Sequence, residues 1–236
     1  NLDKGVSRGK VSEDLRDETL MRLAGSTVLE TAVDGADLVI EAVPEVLSLK
    51  QELFATIEPL VDEGTVFGTN TSSLSVGAIA GAMSRPEVVV GLHFFNPVHI
   101  MKLLEVVTHP TTADDAVDRI RTFGKEIGKD CIYVKDFPGF ATSRLGVCLG
   151  MEAIRMVEQG VASAEDIDTA MVLGYRHPVG PLKLTDMVGL DVRLHIGEYL
   201  ARELNNSAFE PPQLMREMVK EGRLGKKSGR GFYDWE

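Results

Sequence analysis

His93-Phe94-Phe95-Asn96-Pro97 closes one short apolar run, and Glu105 sits inside a second, Leu103–Val107. An imidazole titrates near neutrality, so it can take the proton of an alcohol while hydride leaves the adjoining carbon. A carboxylate that accepts a hydrogen bond from the other ring nitrogen would fix the tautomer and stabilise the protonated form. On residue types alone the plain alternative stands, since a histidine at a strand end is commonly a structural hydrogen bonder. Glu105 says more: a carboxylate inside an apolar run needs a partner once it is buried.

Three further stretches place polar groups beside strands. Thr69-Asn70-Thr71-Ser72-Ser73-Leu74 follows one strand and could face a cofactor or substrate oxygen, or could be a routine helix-capping cluster. Glu41-Ala42-Val43-Pro44-Glu45, followed by Lys50, puts carboxylates where ribose hydroxyls bind in open α/β sheets, or on a solvated turn. Near the end, Gly222-Arg223-Leu224-Gly225-Lys226-Lys227-Ser228-Gly229-Arg230-Gly231-Phe232-Tyr233 combines basic side chains with glycines that permit close backbone approach, or forms a mobile basic tail. His99, His109, His177 and His195 show no metal-ligand spacing and receive no role.

The elements that would position these groups are legible in the hydrophobic pattern. Residues 1–24 read as a charged helical segment. Strands are expected at 37–43, 65–69, 88–92, 103–107 and 131–134, with an amphipathic helix at 46–61, a short one through Ala82 and another bearing Ala116, Val117, Ile120, Phe123 and Ile127. Strands alternating with helices argue for a doubly wound sheet. After Asp136-Phe137-Pro138-Gly139 the texture becomes helical, over roughly 139–159, 164–173, 181–204 and 211–221. Two domains follow, 1–136 and 137–236. Apolar residues surround most of the 139–159 segment, which suits burial by other helices or by a second subunit.

A net charge of −11 argues against nucleic acid, whose phosphates need a basic face. No apolar stretch approaches bilayer length, so no membrane is expected. Cys131 and Cys148, in apolar contexts without ligand spacing, read as free thiols of a reducing compartment, the cytoplasm. Local positives, among them Arg8 and Lys10, could still serve a phosphorylated ligand.

Taken together, these stretches resemble the 3-hydroxyacyl-CoA dehydrogenase family, and most of all its bacterial 3-hydroxybutyryl-CoA members. The resemblance rests on Val39–Glu45, Asn70–Leu74, Gly91–Pro97, Met101–Val106, Pro138–Phe140, Glu165–Asp168, Gly180–Asp186 and Gly225–Tyr233, in the family's order across nearly the whole chain. It implies a Rossmann-type NAD-binding domain followed by an all-helical domain that carries a homodimer interface and binds substrate. The implied reaction is the reversible oxidation of an L-3-hydroxyacyl-CoA to a 3-oxoacyl-CoA, in fatty acid or butanoate metabolism. His93 matches the catalytic base and Glu105 the acid that orients it. Ser72 matches the serine near the substrate's 3-oxygen and the nicotinamide, and Asn96 the asparagine near the nicotinamide. Glu45, Lys50 and Lys227 match NAD-contacting positions, and Arg8 or Lys10 the basic helix that meets the CoA phosphates.

Two departures accompany the match. Ser143 stands where many members carry a substrate-contacting asparagine. The Gly-x-Gly-x-x-Gly turn and the acidic ribose ligand do not occur, which leaves NADP open beside NAD and predicts that the first part of the dinucleotide-binding domain is missing from this chain. Two other readings stay in view: a non-catalytic, crystallin-like structural relative, and a dehydrogenase of a hydroxy acid that carries no CoA.

Overall fold

The computed structural model describes residues 1–236. The opening segment, expected to be helical, forms two helices, α1 (Leu2–Ser7) and α2 (Glu13–Met21). Ser12 restarts the helix by accepting a hydrogen bond from the Leu15 amide at 3.1 Å, satisfying one of the orphan donors of the first turn. A short α3 (Leu29–Val33), not expected from the sequence, precedes the first strand.

Strands β1 (Leu38–Glu41), β2 (Val66–Thr69), β3 (Val89–Phe94), β4 (Leu103–Thr108) and β5 (Asp130–Lys135) lie side by side in chain order. Helices α4 (Leu47–Ile57) and α5 (Val76–Ala80) connect the first three strands, and α6 (Asp114–Glu126) connects the last two. Phe54, Ile57, Phe67, Val76, Ile79, Val89 and Val107 pack on one face, while Val66, Val90, Leu92, Leu104, Val106 and Ile120 pack on the other. The alternation along each strand sends successive side chains to opposite faces, and both faces are covered.

One feature departs from a uniformly parallel, doubly wound sheet. β1, β2 and β3 are parallel, as are β4 and β5, but β3 and β4 run antiparallel. The link from Phe95 to Lys102 is too short to hold a crossover helix, so the chain must turn back on itself.

The second half is helical, as expected, with shifted boundaries. Its elements are α7 (Thr142–Glu158), α8 (Ala164–Tyr175), α9 (Pro181–Val188), α10 (Leu190–Leu204) and α11 (Gln213–Lys220). The helix expected over 181–204 is broken at Gly189, whose φ of 108° lies in a region that a side chain would penalise. Met151, Ile154, Leu182, Leu190, Leu200, Met215 and Met218 form its core. The tail is fastened to this core, because Asp186 accepts hydrogen bonds from the Phe232 and Tyr233 amides and from Trp235 Nε1, each at 2.9 Å. No helix is long and apolar enough to cross a membrane, and no cluster of His, Cys, Asp or Glu is arranged to hold a metal ion.

Candidate active site

The antiparallel register puts His93 on β3 directly opposite Glu105 on β4. Both project from the face that carries Val89 and Val107, toward the start of the helical half. His93 Nδ1 lies 2.8 Å from Glu105 Oε2, and Glu105 is fully buried. Three more contacts hold that carboxylate. Oε1 accepts from the Ala141 and Thr142 amides at 2.9 and 3.2 Å, and Oε2 accepts from the Thr142 hydroxyl at 2.7 Å. Glu105 therefore caps the N-terminus of α7, where free amides and the helix dipole both favour a negative charge.

Burial pushes the Glu105 carboxyl upward, but the hydrogen bonds from His93, Thr142 and Ala141 outweigh it and hold the group below its ordinary range. Ionised, Glu105 can only accept, so Nδ1 carries the proton. Nε2 of a neutral His93 is then an unprotonated nitrogen, and it has no partner within the protein. The rings of Phe95 and Phe140 flank the imidazole, with centroids 4.5 and 6.0 Å away. This geometry makes a base whose tautomer is fixed in advance.

A second network positions Ser72. Glu45 Oε1 accepts from the Thr71 hydroxyl at 2.5 Å and from the Ser72 and Ser73 amides at 2.9 and 3.2 Å. The Glu45 carboxyl, raised by burial, is lowered further by the Thr71 and Ser72 bonds and by Lys50, so it stays ionised. Lys50 is fully buried, with Nζ 2.6 Å from Glu41 Oε1 and 3.3 Å from Glu45 Oε2. Glu41 also accepts from the Thr69 hydroxyl at 2.7 Å. The structure thus gives Lys50 no exposed surface with which to touch a dinucleotide. It reaches the cofactor side through Glu45, which it holds in place.

Two hollows meet at Ser72. The first, of about 430 Å³, is lined by Ser72, His93, Asn96 and Ser143 on the polar side and by Val147, Leu184, Val188 and Ile196 on the apolar side. The second, of about 610 Å³, is lined by Glu45, Asn70, Ser72, Ser73 and His195 beyond the carboxyl ends of β1 and β2, which is where ligands bind in open α/β sheets. The Ser72 hydroxyl and the Asn96 amide make no hydrogen bond within the protein. Asn70 uses only its oxygen, on the Phe94 amide at 3.1 Å. Unpaired donors and acceptors therefore converge where a dinucleotide and a polar substrate would meet.

Other expected residues lie apart from this cluster. Arg8 and Lys10 are exposed in the α1–α2 turn and line neither hollow. Lys227 pairs with Asp191 at 2.6 Å, one residue before Val192, which lines both hollows. Sequence reasoning missed Thr142 and Arg193, and it set Glu41 among carboxylates suited to ribose hydroxyls, whereas Glu41 is the buried partner of Lys50 and Thr69. Thr142 stands next to the Pro-Gly-Phe turn that was noted, yet only the fold shows that it binds Glu105. The signal for Arg193 was a charge among the apolar residues of a helix.

Comparison with known proteins matches the chain over nearly its whole length. Residues 1–137 match the 3-hydroxyacyl-CoA dehydrogenase NAD binding domain, and residues 139–235 match the C-terminal domain of the same family. A 3-hydroxybutyryl-CoA dehydrogenase of Mycobacterium tuberculosis is 43% identical over 100% of this chain and 82% of its own length. The mitochondrial hydroxyacyl-coenzyme A dehydrogenase of Sus scrofa is 42% identical over 99% of this chain and 74% of its own. The crystal structure of (S)-3-hydroxybutyryl-CoA dehydrogenase PaaH1 from Ralstonia eutropha superposes with a TM-score of 0.94, at 39% identity, over 100% of this chain and 83% of that one.

Proposed function

The chain belongs to the 3-hydroxyacyl-CoA dehydrogenase family, and from that premise we propose how its residues carry the reaction. The activity is NAD-dependent oxidation of an L-3-hydroxyacyl-CoA, 3-hydroxybutyryl-CoA above all, to the 3-oxoacyl-CoA, or the reverse reduction. Its place is fatty acid metabolism. The observation that carries the site assignment is the His93–Glu105 contact beside an unpaired Ser72 hydroxyl.

The substrate's 3-hydroxyl binds in the smaller hollow. His93 Nε2 takes its proton during oxidation and returns it during reduction. Glu105 stabilises the imidazolium that forms and keeps the ring in register. Ser72 and Asn96 hydrogen-bond the 3-oxygen and orient the reacting carbon, and Ser143 supports the acyl group from the first turn of α7. Glu45, with Lys50 behind it, and Lys227 hold the cofactor side. Bound NAD supplies the acceptor of the electron pair. The unpaired polar groups around the larger hollow fit a nicotinamide nucleotide.

Assay of NADH consumption with acetoacetyl-CoA tests this reading. Turnover is expected, and none above background would return the protein to a crystallin-like, non-catalytic role. Free CoA should compete. A failure to do so would point to a hydroxy acid without CoA.

Arg8 and Lys10 are the proposed contacts for the CoA phosphates, supported by their exposure and by the lack of an ion pair at either. Arg8→Ala with Lys10→Ala should raise KM for acetoacetyl-CoA by about tenfold, consistent with the loss of charge-assisted bonds. Steady-state kinetics at low ionic strength checks this, and an unchanged KM would remove both residues from the site.

The division into a dinucleotide-binding part over 1–136 and a helical part over 137–236 is part of the proposal, supported by cores that are distinct apart from Phe140, which packs in the first part. The helical part is proposed as the interface of a homodimer. Leu145, Leu173, Tyr175 and Met187, all more than half exposed on α7, α8 and α9, support that role. Sedimentation should show a species of twice the chain mass, and a monomer at micromolar concentration would rule the dimer out. The free, partly buried Cys131 and Cys148 support a reducing compartment such as the cytoplasm.

A further inference from the structure

Arg193 of α10 is a buried cation with almost nothing to neutralise it. The residue is 5% exposed and forms no ion pair. Nη1 donates to the Gly146 carbonyl at 2.5 Å, while the fully buried Nε has no partner. Burial alone pulls the guanidinium down to about 10, because no carboxylate stands near enough to oppose it. Such a group is costly: a charge removed from water needs a counter-charge or a full set of acceptors.

The protein nevertheless makes room for it. Gly146 and Gly150 lie one turn apart on α7, under the guanidinium. A Cβ at Gly150 would come within 2.3 Å of Nη1. Glycine inside a helix is disfavoured relative to alanine, so the seat is maintained against the helix's own preference. Arg193 also lines the smaller hollow, together with His93, Ser72 and Asn96.

We propose that Arg193 is an anion-binding residue of the acyl subsite, and that the chain acts on 3-hydroxyacyl-CoA substrates whose acyl chain ends in a carboxylate. A ligand carboxylate in the hollow would supply acceptor oxygens to Nη2, which makes no hydrogen bond and, unlike Nε, is not sealed from solvent, and a guanidinium matches that group's planar geometry. Val147, Leu184, Val188 and Ile196 line the same hollow and suit the intervening methylenes. Thr142, which binds Glu105, and Gly146 to Gly150, which seat Arg193, are separated along α7 by about 6–12 Å at 1.5 Å rise per residue. A short dicarboxylic chain covers that distance.

The inference rests on the dehydrogenase reading, and the experiment separates the two. kcat/KM is measured for mono-CoA thioesters of straight-chain 3-oxo dicarboxylic acids of six to ten carbons, each against the neutral 3-oxoacyl-CoA of equal length, with acetoacetyl-CoA as reference. In the unaltered protein at least one dicarboxylic thioester should exceed its neutral counterpart by about tenfold or more, as expected for one charge-assisted pair. Arg193→Met should bring that ratio to about one, and Arg193→Lys, which keeps the charge without the planar fork, should leave it in between. Turnover of acetoacetyl-CoA with the neutral thioester equal or better at every length overturns this inference alone. Absence of turnover with every thioester overturns the dehydrogenase reading with it. Because the first comparison needs no substitution, a variant that fails to fold does not blunt the test.

Discussion

Replacing His93 with alanine is expected to lower kcat by about two to four orders of magnitude, with little change in NADH affinity. In oxidation the hydroxyl proton must leave as the C–H bond breaks, and Nε2 is the basic nitrogen in the hollow that lacks a protein partner. Without it, water must take the proton, at a cost equal to the contribution of a positioned general base. The residue lines the smaller hollow but not the one beside Glu45 and Asn70, so cofactor binding should persist. Steady-state kinetics with acetoacetyl-CoA, together with NADH binding by fluorescence, checks both halves. An equal loss in NADH affinity would make His93 a structural residue.

Glu105→Gln is expected to reduce kcat by about a hundredfold or more, for a different reason. Glutamine preserves the shape but replaces an acceptor-only group with an amide that can donate. It can donate to Nδ1, which would favour the tautomer bearing its proton on Nε2, the wrong nitrogen for a base. It also removes the charge that stabilises the imidazolium. The same substitution carries a pH signature. The folded carboxyl lies below its ordinary value of 4.5, so near that pH the unfolded chain binds more protons, and stability rises with pH. The contribution of Glu105 is fully present above the ordinary value and disappears as pH falls through the lowered one. In urea titrations the stability gap between the parent and Glu105→Gln should therefore be constant above about pH 5.5 and narrow in more acid buffers. A gap independent of pH down to strongly acid conditions would mean that Glu105 is not held ionised by its contacts.

Much of the site could be read from the chain alone. The short runs at Leu38–Val43, Thr65–Thr69, Val88–Leu92, Leu103–Val107 and Cys131–Val134 marked all five strands, most clearly where burial on both faces demands continuous apolar sequence. His93 and Glu105 stood out as polar types set in or beside such runs. The change at Asp136–Gly139 separated an α/β part from a helical one. Boundaries were weaker where glycine or a cap intervened, as at Gly189 and Ser12, since hydrophobic periodicity carries through a break that backbone conformation enforces.

The roles of Lys50 and Arg193 were not accessible in the same way. Both are long basic side chains, and sequence assigns such groups to the surface or to ligands. In the folded protein one is a fully buried partner of two carboxylates, and the other is a buried cation seated on glycines of a different helix. Neither position follows from spacing, because each depends on elements distant in the chain that meet only after packing.

Sequence by itself determined which residue types could move a proton and which strands would carry them. Tertiary structure decided that they meet. The sense and register of β3 and β4 set His93 across from Glu105, and the start of α7 supplied the amides that keep the carboxylate charged. A slip of one residue would turn either side chain to the opposite face of the sheet. Register is a property of paired backbones, fixed by the burial of both faces together, and no local pattern in one strand contains it.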